Sequence, residues 1–254
     1  MRRLLVIGIG AGDPEYVTMQ AVNALNAADV FFVVDKGEDK ASLVALREQI
    51  LGRYVRDQDG FRIVEIPDPP RDRAAAAYTA AVEDWHEKRS ELFEAAIASE
   101  LAADGIGAFL VWGDPALYDS TLRVIDRILA RGAVRFDYEV IPGITSVQAL
   151  VAKHRLPLNR IGEPIHITTG RRLADGMPDG LDSAVVMLDA GFAPREFDDP
   201  RLHVYWGAYL GTPDEVLLSG RLVDVAEEIE RTKRELRDEH GWIMDTYLLR
   251  READ

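Results

Sequence analysis

Along the first half of the chain, short apolar runs rich in β-branched residues alternate with stretches of helical spacing. Leu4 to Ile9 and Val30 to Val34 are almost continuous in apolar residues, as strands covered on both faces are. Phe61 to Ile66 reads as a half-buried, edge-like strand, and Gly107 to Trp112 and Tyr138 to Ile141 continue the series. Helical patterns lie between them at Thr18 to Ala28, Lys40 to Leu51, Arg71 to Ala103, Thr121 to Ala130 and Thr145 to His154. Strands alternating with helices predict βαβ units and a mostly parallel sheet.

The second half has a different rhythm. Ile165 to Thr169, Ala184 to Leu188, His203 to Tyr209, Val216 to Leu218 and Ile243 to Leu249 are strand-like, and Val223 to Arg237 is the one clear helix. The turn Leu210-Gly211-Thr212-Pro213-Asp214 predicts a hairpin, so this sheet is expected to be mixed or antiparallel. The two prolines and the glycine of Leu156 to Pro164 carry little helical signal and place a boundary there. The expected organisation is therefore an N-terminal α/β domain over residues 1–157 and a C-terminal α/β domain over 158–254. At about 150 residues per domain, the 254 residues agree with two.

Composition narrows the chemistry. With 47% apolar and 29% charged residues the chain can bury a sizeable core. Its 44 acidic and 30 basic residues leave a net charge of -14, which repels nucleic-acid backbones and anionic membranes, so neither is an expected partner. The absence of cysteine removes disulfides, thiolate metal sites and a cysteine nucleophile, and suits a reducing, cytoplasmic location. The apolar start ends at Gly10, short of the about 7 to 15 residues of a signal-peptide core, and no run approaches the about 20 of a membrane span. The five histidines, His86, His154, His166, His203 and His240, show no metal-ligand spacing, and no metal is expected.

Three strand-end loops carry the candidate chemistry. Gly8-Ile9-Gly10-Ala11-Gly12-Asp13-Pro14 follows the first strand, Gly113-Asp114-Pro115-Ala116-Leu117-Tyr118 follows the fourth, and Pro142-Gly143-Ile144-Thr145-Ser146 follows the fifth. Glycine at a strand's carboxyl end lets a ligand approach the backbone, and in an open parallel sheet such loops converge on one small-molecule site. A dinucleotide fingerprint starting at Gly8 would need its third glycine at position 13, where Asp13 stands. Asp35, at the end of the second strand, keeps a nicotinamide-dependent reductase open as an alternative. Asp114 can serve as a turn former or accept bonds from hydroxyls or an ammonium group, and Thr145 or Ser146 can simply cap a helix.

In this order the three loops resemble those of the tetrapyrrole methylases that use S-adenosylmethionine, and the resemblance spans nearly the whole chain. One departure is Ala11, where the family's first loop, Gly-Pro-Gly-Asp, has proline. The segments Asp35-Lys36-Gly37, Thr168 to Arg172, Trp206 to Gly211 and Gly241 to Leu249 extend the resemblance towards the branch that methylates precorrin-5 at carbon 1 and releases an extruded acetyl group as acetate. The resemblance implies a cofactor folded in a cleft between two α/β domains, a precorrin substrate and a homodimer. It assigns Gly10 and Ala11 to the first cofactor contact, Gly113, Asp114 and Leu117 to the second, and Thr145 and Ser146 to the third. Leu188, Ala208 and Tyr209 fall where second-domain strand ends would close over the adenosine, although Leu188 also reads as ordinary core.

Methyl transfer from a sulfonium asks the protein mainly for alignment and exclusion of water. Deacetylation also needs a group to manage a water proton, for which Asp13 and Tyr118 are the candidates. A carboxylate-rich substrate calls for arginines, and Arg171 and Arg172 after a strand end are the first choice, with Arg155 and Arg160 beside the linker. A precorrin methyltransferase without deacetylation and a non-catalytic tetrapyrrole carrier remain alternatives.

Overall fold

The computed structural model describes residues 1–35, 41–70, 78–174, 176–178 and 180–252. By contact density it divides into two compact units, Met1–Gly10 with Pro14–Ile144, and Ala11–Asp13 with Thr145–Asp254.

The first unit contains β1 (Arg2–Gly8), α1 (Met19–Leu25), β2 (Val30–Asp35), α2 (Ala41–Tyr54), β3 (Arg62–Pro67), α3 (Tyr78–Glu100), β4 (Ile106–Val111), α4 (Thr121–Arg131) and β5 (Phe136–Ile141). Its five strands are all parallel, in the order β3-β2-β4-β1-β5, so the edge-like reading of Phe61 to Ile66 is met by β3. Alternation along β1 explains the layers. Leu4 and Val6 point into a cluster with Phe93 and Ile97 of α3 and Val124 and Ile128 of α4, whereas Leu5 and Ile7 join Ala21 and Leu25 of α1 and Ile50 of α2. Both faces are covered, which is why the strand sequence shows no polar alternation. Phe93 stacks on Phe109 at 4.8 Å between ring centres, and Phe109 on Phe32 at 5.1 Å. Thr18 starts α1 by accepting a bond from Ala21 N–H at 3.1 Å.

The second unit contains α5 (Ser146–His154), β6 (His166–Thr169), α6 (Gly170–Leu173), β7 (Ser183–Met187), β8 (Leu202–Ala208), β9 (Val216–Arg221), α7 (Leu222–His240) and β10 (Asp245–Arg251). Its sheet order is β6-β7-β10-β8-β9, with β6 and β7 parallel and the remaining pairs antiparallel. This is the mixed sheet expected, including the β8–β9 hairpin. Trp206, Tyr247 and Leu249 pack with Leu222 and Ile229 of α7 in its core. Two features were not legible. The single turn α6 is too short to show periodicity. The helix Ser146–His154, placed with the first domain by the expected boundary near Pro157, packs instead on β8 and β10 and belongs with the second unit. Residues 36–40, which hold Lys36 and Gly37 and the first residue of the helix expected from Lys40, and residues 71–77, the start of the helix expected from Arg71, lie outside the described residues.

Candidate active site

In the first unit β4, β1 and β5 are adjacent and parallel, so the loops that follow them leave the same end of the sheet. These are the three glycine loops. They are glycine-rich first because they touch each other: a Cβ on Gly143 would lie 2.0 Å from Gly113 O, and one on Gly8 would lie 2.6 Å from Gly143 N. Gly10 and Gly113 exchange backbone bonds, N–H of Gly113 to O of Gly10 at 2.8 Å and N–H of Gly10 to O of Gly113 at 3.3 Å. Both carboxylate oxygens of Asp114 are engaged, Oδ1 by Ala116 N–H and Oδ2 by Gly143 N–H, each at 2.8 Å. Asp114 therefore ties the second loop to the third, and its remaining lone pairs are what a ligand can use. Leu117 donates its N–H to Asp114 O at 3.2 Å. Tyr118 follows with φ 52° and 44% exposure, and its partial burial pushes the phenol pKa up.

In the second unit the register brings the remaining candidates to one row. Met187 and Gly207 both lie opposite Thr246 of β10, so Leu188 and Ala208 leave neighbouring positions at one end of the sheet. Thr246 Oγ1 donates to Ser146 Oγ at 3.0 Å, which fixes the start of α5 at the same row. Thr145 caps that helix, accepting from Val147 N–H at 3.1 Å within a capping box completed by Gln148. Ala11 is buried, and Gly12, at φ 114°, lies so near Leu210 O that a Cβ would come within 2.1 Å. Asp13 beside it is half-buried.

Among the described residues, four non-glycine residues have positive φ: Tyr118, Arg155, Leu188 and Tyr209. All four were named as candidates from the sequence, Arg155 only as a second-choice substrate arginine. A leucine in the left-handed region costs about 1–2 kcal/mol, and Leu188 at φ 53° is 66% exposed. It is not ordinary core: it is an apolar side chain held outward at a strand end, as a ligand contact would be. Tyr209, at φ 47°, is the reverse case. Its ring packs against His240 and Trp242, its hydroxyl donates to Trp242 O, and burial pushes its pKa up to about 12. Ala208 is also fully buried.

A buried polar network supports this row. Lys233 of α7 donates to Asp245 Oδ2 at 2.7 Å and to the backbone carbonyl of Asp189, the residue after Leu188, and both Lys233 and Asp245 side chains are 4% exposed. Trp206 Nε1 donates to the same Asp245 oxygen at 2.8 Å. The Asp189 carboxylate accepts from Tyr247 Oη at 2.6 Å and from the N–H groups of Gly191 and Ala193. Burial raises the Asp245 pKa against the pull of Lys233, and burial with Asp189 nearby raises that of Tyr247. The network fixes the ends of β7, β8 and β10. Sequence reasoning missed it, although Lys233, four residues after Ile229 on the apolar stripe of α7, was a readable signal.

The arginine candidates separate. Arg171 and Arg172 are exposed on α6, directly after the row of strand ends. Arg160 instead pairs with Asp182 at 3.4 Å and donates to Arg251 O, and Arg155 is the left-handed C-cap of α5. Asp35 ends β2, but its side chain and residues 36 and 37 lie outside the description. Among the described residues no group of three or more histidines or carboxylates could hold a metal, and no helix is long and apolar enough to cross a membrane.

The first unit is thus a parallel α/β unit with glycine loops after three adjacent strands, and the second a mixed-sheet unit with strained strand ends. The family model for tetrapyrrole (corrin/porphyrin) methylases matches residues 3–226, and the chain belongs to this family, whose methyl donor is S-adenosylmethionine. The chain is 51% identical over its whole length to a precorrin-6A synthase [deacetylating] of Sinorhizobium sp, covering 97% of that protein. It is 32% identical to a precorrin-2 C(20)-methyltransferase from Sinorhizobium sp over 73% of the chain and 72% of the relative. A solved structure of a cobalamin synthesis related protein (CobF) from Corynebacterium diphtheriae superposes with a TM-score of 0.86 at 41% identity, over 99% of each chain.

Proposed function

We propose that the chain is a precorrin-6A synthase (deacetylating) of cobalamin biosynthesis, which methylates precorrin-5 at carbon 1 and releases acetate. The observation that carries this reading is the 51% identity over the full chain to the relative of that name, against 32% over part of the chain to a precorrin methyltransferase acting at carbon 20. The same reading includes a cytoplasmic homodimer.

The residues present fit the donor. The exposed, left-handed Leu188 is a feature that folding alone does not require of a leucine. In this reading the cofactor contacts are Gly10, Ala11, Gly113, Asp114, Leu117, Thr145, Ser146, Leu188, Ala208 and Tyr209. The side chains of Thr145 and Tyr209 are committed to a cap and to the core, so they contribute mainly backbone. S-adenosylmethionine, when bound, supplies a methyl group already activated on a sulfonium. The protein's part is to hold the acceptor carbon in line and keep water from the methyl group.

Acetate forms when water adds to the acetyl carbonyl, the bond from that carbonyl to the macrocycle breaks, and the electron pair stays on the macrocycle. The raised pKa of Tyr118 keeps its proton in place, which suits a donor to the carbonyl oxygen, while Asp13 takes the proton from water. Arg171 and Arg172 receive peripheral carboxylates of the substrate.

Carbon 1 needs an electron pair to accept the methyl group, so one electronic route links both events. Replacing S-adenosylmethionine by S-adenosylhomocysteine should stop acetate formation as well as methylation, with products read by mass. Acetate at the normal rate without the methyl donor would show deacetylation to be independent. A product heavier by one methylene and still acetylated would identify a non-deacetylating methyltransferase instead.

A further inference from the structure

The segment Thr168 to Arg172 ends β6 and enters the single turn α6, which carries Arg171 and Arg172. The turn rests on Asp189. A Cβ on Gly170 would lie 2.2 Å from Asp189 Cγ and 2.5 Å from Asp189 Cβ, so the first residue of α6 sits directly against that side chain. Gly170 is not among the positive-φ glycines, and its missing side chain serves this close approach rather than a turn. Three residues on, Leu173 is buried in one cluster with Phe192 and Tyr247, whose rings meet edge-on at 5.3 Å. With Gly170 and Leu173 on the inner side of the turn, Arg171 and Arg172 are left exposed.

Asp189 is itself held at both of its polar ends. Its backbone carbonyl accepts from Lys233 Nζ, and its carboxylate accepts from Tyr247 Oη at 2.6 Å, Ala193 N–H at 2.9 Å and Gly191 N–H at 3.1 Å. The residue is buried, so these bonds are made where a displaced polar group is costly. Lys233 also holds Asp245, which lies opposite Ala208 in the pairing of β10 with β8. One backbone step before Asp189 stands Leu188, in the left-handed region with its side chain exposed. Strain of this kind persists only where the surroundings over-determine the backbone, and the clamp on Asp189 does so here. Asp189 therefore bears on Leu188 through its backbone and on α6 through its side chain.

We propose that Asp189 is a positioning residue that sets the cofactor contact Leu188 and the arginines of α6 together, so that filling one subsite orders the other. What the two subsites bind rests on the function proposed above. The coupling is reciprocal: a cofactor that fixes Leu188 tightens precorrin binding by the same factor as precorrin tightens the cofactor.

The test uses the full-length protein and two variants. Asp189→Asn keeps the size of the side chain but sets an amide NH2 against one of the two backbone N–H groups, of Gly191 or Ala193. Gly170→Ala adds one methyl at the contact and changes no charge. The Kd for S-adenosylhomocysteine is measured by calorimetry, the KM for precorrin-5 by turnover, and stability by urea. Amide exchange is followed with and without S-adenosylhomocysteine at Ala174, whose N–H closes α6 on Gly170 O at 3.0 Å. In the parent, S-adenosylhomocysteine should slow this exchange, although α6 holds no proposed cofactor contact. Both variants should lose that protection and raise both constants about five-fold or more, the lower end for coupled sites. A lowered urea midpoint with both constants at parent values would make Asp189 a folding residue only and overturn the proposal. So would exchange at Ala174 that ignores S-adenosylhomocysteine in the parent, or a Kd unmoved by Gly170→Ala, which decides alone if Asp189→Asn does not fold. Calorimetry and exchange need no turnover: a parent that binds S-adenosylhomocysteine but does not convert precorrin-5 refutes the proposed function and leaves these two arms to judge Asp189.

Discussion

Replacing Lys233 by methionine removes one partner of a buried ion pair at nearly constant side-chain length. Asp245 would then stay 4% exposed with Trp206 Nε1 as its one remaining donor among the described residues. Removing one partner of such a pair costs about 3–5 kcal/mol, because a buried charge is left uncompensated. Against a total stability of about 5–15 kcal/mol, Lys233→Met should fold but unfold at markedly lower urea. The double variant Lys233→Met with Asp245→Asn has no buried charge and keeps an acceptor for Trp206, so its loss should stay within about 2 kcal/mol. pH separates the two. Burial already raises the Asp245 pKa, and Lys233 opposes that rise. Without Lys233 the folded pKa moves further above the unfolded value of about 3.9. A raised acid pKa favours the folded state only once the group is protonated, so the destabilisation relative to the parent should shrink from pH 7.5 to pH 5.5 in the single variant and stay constant in the double one. Urea midpoints at the two pH values decide this. A cost below about 1 kcal/mol for Lys233→Met, or a double variant no more stable than the single one, would refute the charge argument.

Leu188→Asn places in the left-handed region a residue that tolerates it, and removes a side chain that is mostly solvent-exposed; stability should hold or rise by up to about 1 kcal/mol while the Kd for S-adenosylmethionine rises several-fold, as read by thermal melting and calorimetry. Unchanged cofactor affinity would leave the strain at Leu188 without a ligand to explain it. Arg171→Glu with Arg172→Glu should raise the precorrin KM far more than the KM for S-adenosylmethionine, by the equivalent of about 2–5 kcal/mol if the pairs are desolvated and by little if they are rim contacts. Equal rises in both constants would point to a folding defect rather than lost substrate contacts.

Much of the first unit was legible because its determinants are local. The apolar runs of β1, β2 and β4 need no partner to be read, and the glycine loops lie immediately after them. What the sequence concealed was why the glycines are there: Gly8 and Gly143 meet across more than a hundred residues of chain, and only the register of β4-β1-β5 shows that each leaves no room for a Cβ on the other, with Gly113 O closing the space beside both. The helix Ser146–His154 was recognised but assigned to the wrong side of the boundary, because the prolines at 157 and 164 mark a break in helix, not a break in packing. Leu188 after Val185-Val186-Met187 has the composition of core, and no local pattern announces that its φ turns positive and sends the side chain outward.

The two units thus organise their candidate contacts by different physics. In the first, backbone meets backbone among glycines, and the arrangement depends on the absence of side chains, which leaves a motif in the sequence. In the second, Leu188, Ala208 and Tyr209 are held by Lys233, Asp189, Asp245 and Trp206, which come from separate elements and leave no motif. A side chain added to Gly113 or Gly143 acts through geometry, and its effect should not vary with pH. Damage to the Lys233 network acts through a buried charge whose cost does vary with pH. The pH dependence of a variant's lost cofactor affinity therefore reports which of the two supports has failed, without a structure of the variant.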